Sequence, residues 1–574
     1  MNWARPVPRD IRIVKNHFRP TPTLQYLRRR AMRMSAGLAA RCFRAVSSLA
    51  ARVTIVILCQ LSASGAMSPV FAPAFLPGLG SATMRCRRNH FHCRRKLWRN
   101  GDRFNCLSLD RTPWGDRASI IKRSTHMKIL IASTPATGHL NPMLAITQIL
   151  RGDGHEIAFL TGTAFRARVE ASGVKFFPLP EDADFDPNDV FSRFPELKTI
   201  PPGLEWFRVA CERIFVDAIP AQHQGLRQIL RQFPADIIVA DDMLFGVLPM
   251  LLGPRSQRPP IALCGTSFLH WAREDGAPNF LGLPPATSDE ERDRYAAMAR
   301  DFDAAVDQPV SMRLNRALKP LGVGPIAMPL FHSVVALGDA YLQLSVPSFE
   351  FPREIPPSVH FVGTPPIIAN QVPPPPWAEE LDGSRKVVLV TQGTVANHNF
   401  NLLVAPTLAA LADEEDILVI VTAGGRRVDA IPGKIPSNAR IASYLPFEWL
   451  LPNVDVLVTN GGYGSVNQAM SFGIPLVTAG LTEDKADVNA RVAWSGVGIN
   501  LATNEPTPKA LRDAVRTVLD QSRFQLRASQ IADEFAGIDT RSEILRVIGE
   551  LVADESSHIG AMAATRGRRA ERRA

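Results

Sequence analysis

From residue 127 onward, short apolar runs alternate with stretches of helical spacing. Residues 127–134, 155–161 and 174–179 are apolar runs of strand length. The segments between them read as helices, one ending near Leu150 ahead of Gly152 and Gly154, the other running 165–172 ahead of Gly173. Asn141 as a cap and Pro142 at a first helical position predict the start of the earlier helix. Further strands are expected at 235–240, 260–265, 386–391, 417–422, 440–443 and 454–458. Helices are expected at 400–411, 465–471, 507–519 and 524–551. Alternation of strand and helix predicts parallel, doubly wound α/β sheets.

The Pro-rich run 372–377 is stiff and extended, and it marks a boundary. It divides the body into a Rossmann-like domain at 127–370, a linker at 371–385 and a second Rossmann-like domain at 386–551, followed by a basic tail at 552–574.

Charge sets residues 1–126 apart. They hold 24 Lys and Arg against 4 Asp and Glu, a net of +20, whereas the remainder holds 41 basic and 51 acidic residues, a net of −10. Arginine runs such as Arg28-Arg29-Arg30 recur there without sustained helical or strand periodicity. The segment is expected to be a disordered or non-native extension ahead of a domain that starts at Met127. An arginine-rich targeting segment is the competing reading. The apolar run 53–61 is too short to span a bilayer, so no stable membrane insertion is expected. Without regularly spaced stacking aromatics, a nucleic-acid-binding arm is not expected either. Only Cys211 and Cys264 lie in the body, sparse usage that suggests a reducing, cytoplasmic location.

The candidate chemistry centres on Thr459-Asn460-Gly461-Gly462-Tyr463-Gly464-Ser465, which joins an apolar strand to a helix. Such a turn serves equally as a plain strand–helix connection or as an anion site, where glycines admit close approach and free N–H groups face a phosphate. His139, in Gly138-His139-Leu140-Asn141-Pro142, stands after the first strand, at the edge where ligands bind in such sheets. It reads either as a general base, since histidine titrates near operating pH, or as part of a helix cap. Asp241 and Asp242 end a strand; one could orient His139 and the other cap the helix near Phe245. The acidic clusters 182–186 and 301–303 follow no convincing strand and read as solvated surface, so no metal site is expected. No Gly-x-Gly-x-x-Gly follows the first strand, which argues against an NAD-dependent dehydrogenase.

The block from Tyr444-Leu445-Pro446-Phe447 through the glycine turn to Glu483-Asp484-Lys485 and Asn489-Ala490-Arg491 resembles the donor-binding signature of family 1, UDP-glycosyltransferase-like glycosyltransferases. Those enzymes have two facing Rossmann-like domains, the GT-B fold. The subgroup most resembled is the bacterial one that glycosylates macrolides and other natural products. The resemblance implies that His139 is the base and Asp241 its orienting carboxylate. It places Tyr444 on the nucleotide base, Thr394, Gly461, Gly462, Gly464 and Ser465 at the diphosphate, Gln468 at the ribose, and Asp484 with Lys485 at the sugar. It makes Phe268 and Trp271 contacts of an apolar or aromatic acceptor. Three positions depart from the family pattern: Asn460 replaces histidine, Gln468 glutamate and Lys485 glutamine. Asn460 and Lys485 still offer hydrogen-bond donors to phosphate or sugar oxygens.

The implied activity is inverting transfer of a hexose from a nucleotide diphosphate sugar, UDP- or dTDP-linked, to a hydroxyl of a small apolar acceptor. A natural product, a macrolide or a phenolic would serve, with no cofactor or metal required. A sugar-nucleotide epimerase on the same fold and a non-catalytic nucleotide-sugar binder are the alternatives. A protein that starts at Met127 is expected to express as a soluble, active body. Loss of solubility or activity on that truncation, with the full chain active, would refute the reading of residues 1–126.

Overall fold

The computed structural model describes residues 126–187, 189–367, 373–394 and 397–554. Apart from His126, the expected extension at 1–126 lies outside the described residues, as do linker residues 371–372 and tail residues 555–574.

Two all-parallel sheets account for the strands described. The first has the order β3-β2-β1-β4-β5-β6-β7, with β1 (Lys128–Ala132), β2 (Glu156–Thr161), β3 (Lys175–Pro178), β4 (Ile237–Asp241), β5 (Ile261–Gly265), β6 (Ala340–Gln343) and β7 (Val359–Phe361). The second has the order β10-β9-β8-β11-β12-β13, with β8 (Lys386–Thr391), β9 (Ile417–Thr422), β10 (Ala439–Ala442), β11 (Val456–Thr459), β12 (Leu476–Thr478) and β13 (Gly498–Asn500). Apolar side chains leave both faces. Ile129 and Ile131 join one core while Leu130 and Ala132 join the other; Val387 and Leu389 likewise part from Val388 and Val390. That is why the strands read as unbroken apolar runs: parallel strands are covered by helices on both sides.

The helices that place the site are α1 (Thr137–Gly152), α2 (Asp289–Phe302), α3 (Gln308–Leu318), α4 (Tyr463–Ser471), α5 (Lys485–Trp494) and α6 (Ser522–Ala536). Two expectations need correction. α1 begins at Thr137, ahead of Asn141, so Pro142 lies inside it. Proline has no N–H to return to the carbonyl four residues back, here that of Gly138, so α1 runs through Pro142 with that backbone bond missing. His139 therefore belongs to the first helical turn rather than to a loop ahead of the helix.

The helix expected over 524–551 is two. α6 ends at Ala536, and residues 540–554 form a second helix that continues into the expected tail. Asp539 caps the new helix by accepting the Ser542 amide at 3.2 Å and its hydroxyl at 2.7 Å. This last helix returns to the first sheet. Ile544, Val547 and Ile548 are buried among Ile129, Ile131 and Phe159, and Arg541 pairs with Asp153 at 2.9 Å. The end of the chain thus completes the core of its beginning. Replacing Ile548 with alanine is expected to lower stability by about 2–5 kcal/mol, read from a denaturant midpoint. A change within noise would show that this helix does not dock.

Candidate active site

Each sheet reverses its strand order once, between β1 and β4 in the first and between β8 and β11 in the second. At such a switch point the two loops leave in opposite directions and open a crevice beyond the carboxyl ends of the strands. Every sequence-predicted catalytic and diphosphate residue ends or follows one of these four strands.

In the first sheet, Asp241 at the end of β4 is fully buried. Its carboxylate accepts the Thr134 amide at 2.5 Å and hydroxyl at 3.0 Å, binding the loop after β1 to that after β4. It also accepts the Met243 amide at 2.9 Å. His139 stands beside it, with Nδ1 at 3.4 Å from Asp241 Oδ1 and at 2.9 Å from the Thr266 hydroxyl. That hydroxyl has a single proton and gives it to Asp242 Oδ1 at 2.8 Å. Its oxygen is then the acceptor for an Nδ1–H, which leaves the Nε2 lone pair of His139 available. Asp242 also accepts the Tyr341 hydroxyl at 2.9 Å. Neither aspartate caps the short helix near Phe245, so the capping alternative falls away.

The charges are held unequally. Burial opposes the His139 cation, but Asp241, Asp242 and Asp484 outweigh it and hold the imidazole above its ordinary value. Burial would raise Asp241 too, yet His139 and the amides of Thr134 and Met243 hold it below the usual carboxylate range. Asp242, less well compensated, is pushed up by burial. Neighbouring carboxylates with opposed shifts are the pattern that separates a permanent anion from a protonatable one.

His139, Asp241 and Asp242 bring ligand atoms within 4.8 Å of one another, a spacing that could hold a cation. All four carboxylate oxygens, however, already face an N–H or O–H donor. The cluster is therefore read as a hydrogen-bond network around a histidine.

In the second sheet, α4 opens directly after the glycine turn, with Gly462 as its cap. Val466 is the first to bond back, to Gly462 at 3.0 Å, so the amides of Tyr463, Gly464 and Ser465 form the open positive end of the helix. Gly461 has φ +97°, and a Cβ there would overlap the Asn489 amide; the turn therefore requires glycine. Asn489 holds the turn through the Asn460 carbonyl at 3.2 Å and the Gly480 carbonyl at 3.0 Å. Asn460 donates to the Gln392 carbonyl at 2.9 Å, joining the loops after β8 and β11. Thr394 is exposed on the loop after β8, Gln468 is half-buried on α4, and Tyr444 is 50% exposed, with an open face for stacking.

The domains meet through direct contacts. Ser267 donates to Asp484 at 2.7 Å, which sets the expected sugar-side carboxylate beside the His139 network. Lys485 is paired with Glu483. Gln343 donates to the Tyr463 hydroxyl at 2.7 Å, and Ser345 to Asn467 at 2.6 Å. Tyr463 thus locks the domains together from inside the glycine turn.

Phe268 is placed otherwise than expected. It is fully buried, with the Arg491 guanidinium 4.4 Å from its ring, so it is a junction residue and not a pocket wall. Trp271 packs on His332, centroids 5.7 Å apart, and supports a cavity from behind. Thr266, Ser267 and Tyr341 belong to the network, and the sequence reading missed them. The only local signal was that Thr266 and Ser267 follow a buried strand end.

Two parallel-sheet domains with paired switch points define a GT-B architecture, with a histidine–carboxylate pair on one side of the cleft and a helix N-terminus on the other. Comparison with known proteins agrees. Residues 405–551 match the family described as Erythromycin biosynthesis protein CIII-like, C-terminal domain. The 4'-demethylrebeccamycin synthase of Lentzea aerocolonigenes is 38% identical over 431 residues, covering 74% of this chain and 99% of that protein. UDP-glycosyltransferase 2 of Phaeomoniella chlamydospora is 37% identical over 440 residues, covering 74% and 96%. The crystal structure of the calicheamicin glycosyltransferase CalG4 shares the fold at a TM-score of 0.58 and 19% identity, covering 75% of this chain and 98% of that one. The chain belongs to the family 1, UDP-glycosyltransferase-like glycosyltransferases of the natural-product type. Among the described residues, no helix is long and apolar enough to cross a membrane.

Because folded His139 holds its proton more tightly than an unfolded histidine does, its pairing stabilises the fold fully below the ordinary value of 6.5 and fades as pH rises through the folded value. Asp241→Asn is expected to lower the His139 pKa, measured by NMR titration of the imidazole. An unchanged titration would refute the pairing.

Proposed function

We propose that the protein is an inverting, metal-independent hexosyltransferase. It moves a sugar from a nucleotide diphosphate to a hydroxyl of a small, largely apolar natural product or phenolic. The observation that carries this reading is His139, held by Asp241 and Thr266 with Nε2 available, across the domain junction from Asp484 and the N-terminus of α4. His139 Nε2 takes the acceptor hydroxyl proton as the oxygen bonds to the anomeric carbon. The bond from that carbon to the diphosphate oxygen breaks in the same displacement, inverting the centre. The developing imidazolium is stabilised by Asp241, and the departing diphosphate by the amides of Tyr463, Gly464 and Ser465 and by the exposed hydroxyl of Thr394.

In this reading the exposed face of Tyr444 stacks on the nucleotide base, Gln468 meets the ribose, and Asp484 and Lys485 meet the sugar. A relative named as a UDP-glycosyltransferase supports a uridine nucleotide, with dTDP the alternative. The sparse cysteines support a cytoplasmic location.

The second reading, a sugar-nucleotide epimerase, draws on Asp242 and Asp484 as additional carboxylates near the base. Incubating the protein with donor alone separates the two, because free epimerised sugar nucleotide would form only under the second.

His139→Ala is expected to reduce transfer by about 10²–10⁴-fold, the usual effect of losing a general base. UDP at about 100 times its Kd should still stabilise this variant by about 2.7 kcal/mol. If transfer survives in His139→Ala, His139 is not the base. If no nucleotide stabilises the protein, the donor site is misread.

A further inference from the structure

A cavity of about 210 Å³ opens among Pro278, Asn279, Phe280, Phe302, Asp307, Phe331 and neighbouring residues. Its walls are aromatic: Phe280 and Phe331 lie 4.9 Å apart, and Phe207, behind them, packs on Phe280 at 4.8 Å and Phe302 at 6.2 Å. Phe280 adopts φ +70°, a conformation that a bulky residue holds only where its surroundings compel it. Asp307 closes a π-helical turn, Asp303–Asp307, set between α2 and α3. Such turns cluster at functional positions.

The polar atoms of this cavity are mismatched. Asp307 has no hydrogen-bond or ion-pair partner among the described residues, whereas Asp303, one turn earlier, receives Gln308 at 2.7 Å. Asn279 donates Nδ2 to the Trp271 carbonyl at 3.3 Å, which fixes the amide orientation and leaves buried Oδ1 without a donor. The two other ionisable groups on the wall do not compensate. Arg273 is engaged bidentately by Asp275 and by the carbonyls of Leu283 and Pro284. His332 is held neutral, burial pushing it down to about 4. Asp303 adds a like charge from the same turn, and Cys211, on the facing helix, is a thiol kept protonated by burial. The Asp307 carboxylate therefore borders an aromatic space whose wall offers it no uncommitted cation.

The cavity also lies close to the chemistry. His270 packs against Phe280 and Phe331, centroids 5.1 and 5.2 Å away, and its Nδ1 is 3.9 Å from Asp242, which joins His139 through Thr266.

We propose that this cavity takes a protonated amine carried by the acceptor, its ammonium drawn to Asp307 and its carbon frame seated on Phe280, Phe302 and Phe331. The volume suits one substituent rather than a whole natural product. Aromatic walls favour a cation over a neutral group of the same shape. This assignment rests on the transferase reading only in calling the ligand an acceptor; the ammonium site is tested without turnover.

Tyramine and 4-propylphenol share a phenol and a shape and differ in ammonium against methyl. Their binding to the full chain is compared by calorimetry near pH 8. That is above the value of about 6 to which burial raises Asp307 and below the usual alkylammonium range. Tyramine is expected to bind on the order of tenfold more tightly, as a charge-assisted hydrogen bond requires, and Asp307→Asn should abolish that ratio. If Asp307→Asn does not fold, the ratio for the unaltered protein is read again near pH 5, where Asp307 is protonated and tyramine remains a cation; it should fall. Equal binding of the two phenols, or a ratio untouched by the substitution and by acid, overturns the proposal. Glycoside formation is scored separately: tyramine binding with no transfer to either phenol counts against a phenolic acceptor and leaves the ammonium site standing.

Discussion

An ionised carboxylate cannot be buried unless donors replace its water. Asp241 is fully buried, and the donors that keep it ionised come from Thr134 after β1, Met243 after β4 and His139 on α1. Satisfying one charge thus fixes the relative positions of two loops and the first turn of a helix. The same constraint sets the orientation of His139, because its Nδ1 is the nitrogen turned toward Asp241 and Thr266. Structure and proposed chemistry here depend on one electrostatic requirement.

The junction between the domains meets a second buried charge in a similar way. Arg491 is fully buried, with its guanidinium 4.4 Å from the Phe268 ring and 4.2 Å from the Phe351 ring. Glu350, from the first domain, accepts its Nε at 3.1 Å, and Asp487, on the same helix, lies at 3.5 Å. Asp487 in turn accepts the Gly282 amide of the first domain at 2.9 Å. Glu350 also takes the Leu269 amide at 2.9 Å. The loop after β5 is therefore held from the opposite domain, by the helix that begins at Lys485. That helix follows directly on Asp484, so the residues proposed to meet the sugar and the loop that leads to the aromatic cavity share one support. This explains why Phe268 has no open face: it is one of the rings between which Arg491 lies.

Much of the fold was legible because its signals are local. Continuous apolar runs marked strands covered on both faces, and Gly461 marked a turn whose φ no other residue holds without strain. Where a local signal was misweighted, the error was of one turn or one break. Proline favours a first helical position, but Pro142 lies inside α1. The spacing of Asp539 to Ser542 marks a helix cap, a signal as local as the others.

Short stretches of the chain are enough to specify two Rossmann-like domains, a His139 that follows the first strand, an Asp241 that ends another, and a glycine turn that opens a helix in the second domain. Each depends on residues a few positions apart, whose backbone preferences and apolar spacing act without the rest of the chain. What surrounds them is set by the packing of distant segments. Thr266 meets His139 across 127 positions, Tyr341 meets Asp242 across 99, and Ser267 meets Asp484 across 217. Such contacts follow from strand order and domain docking, in which free energy is summed over whole cores, and no short stretch of sequence records that sum.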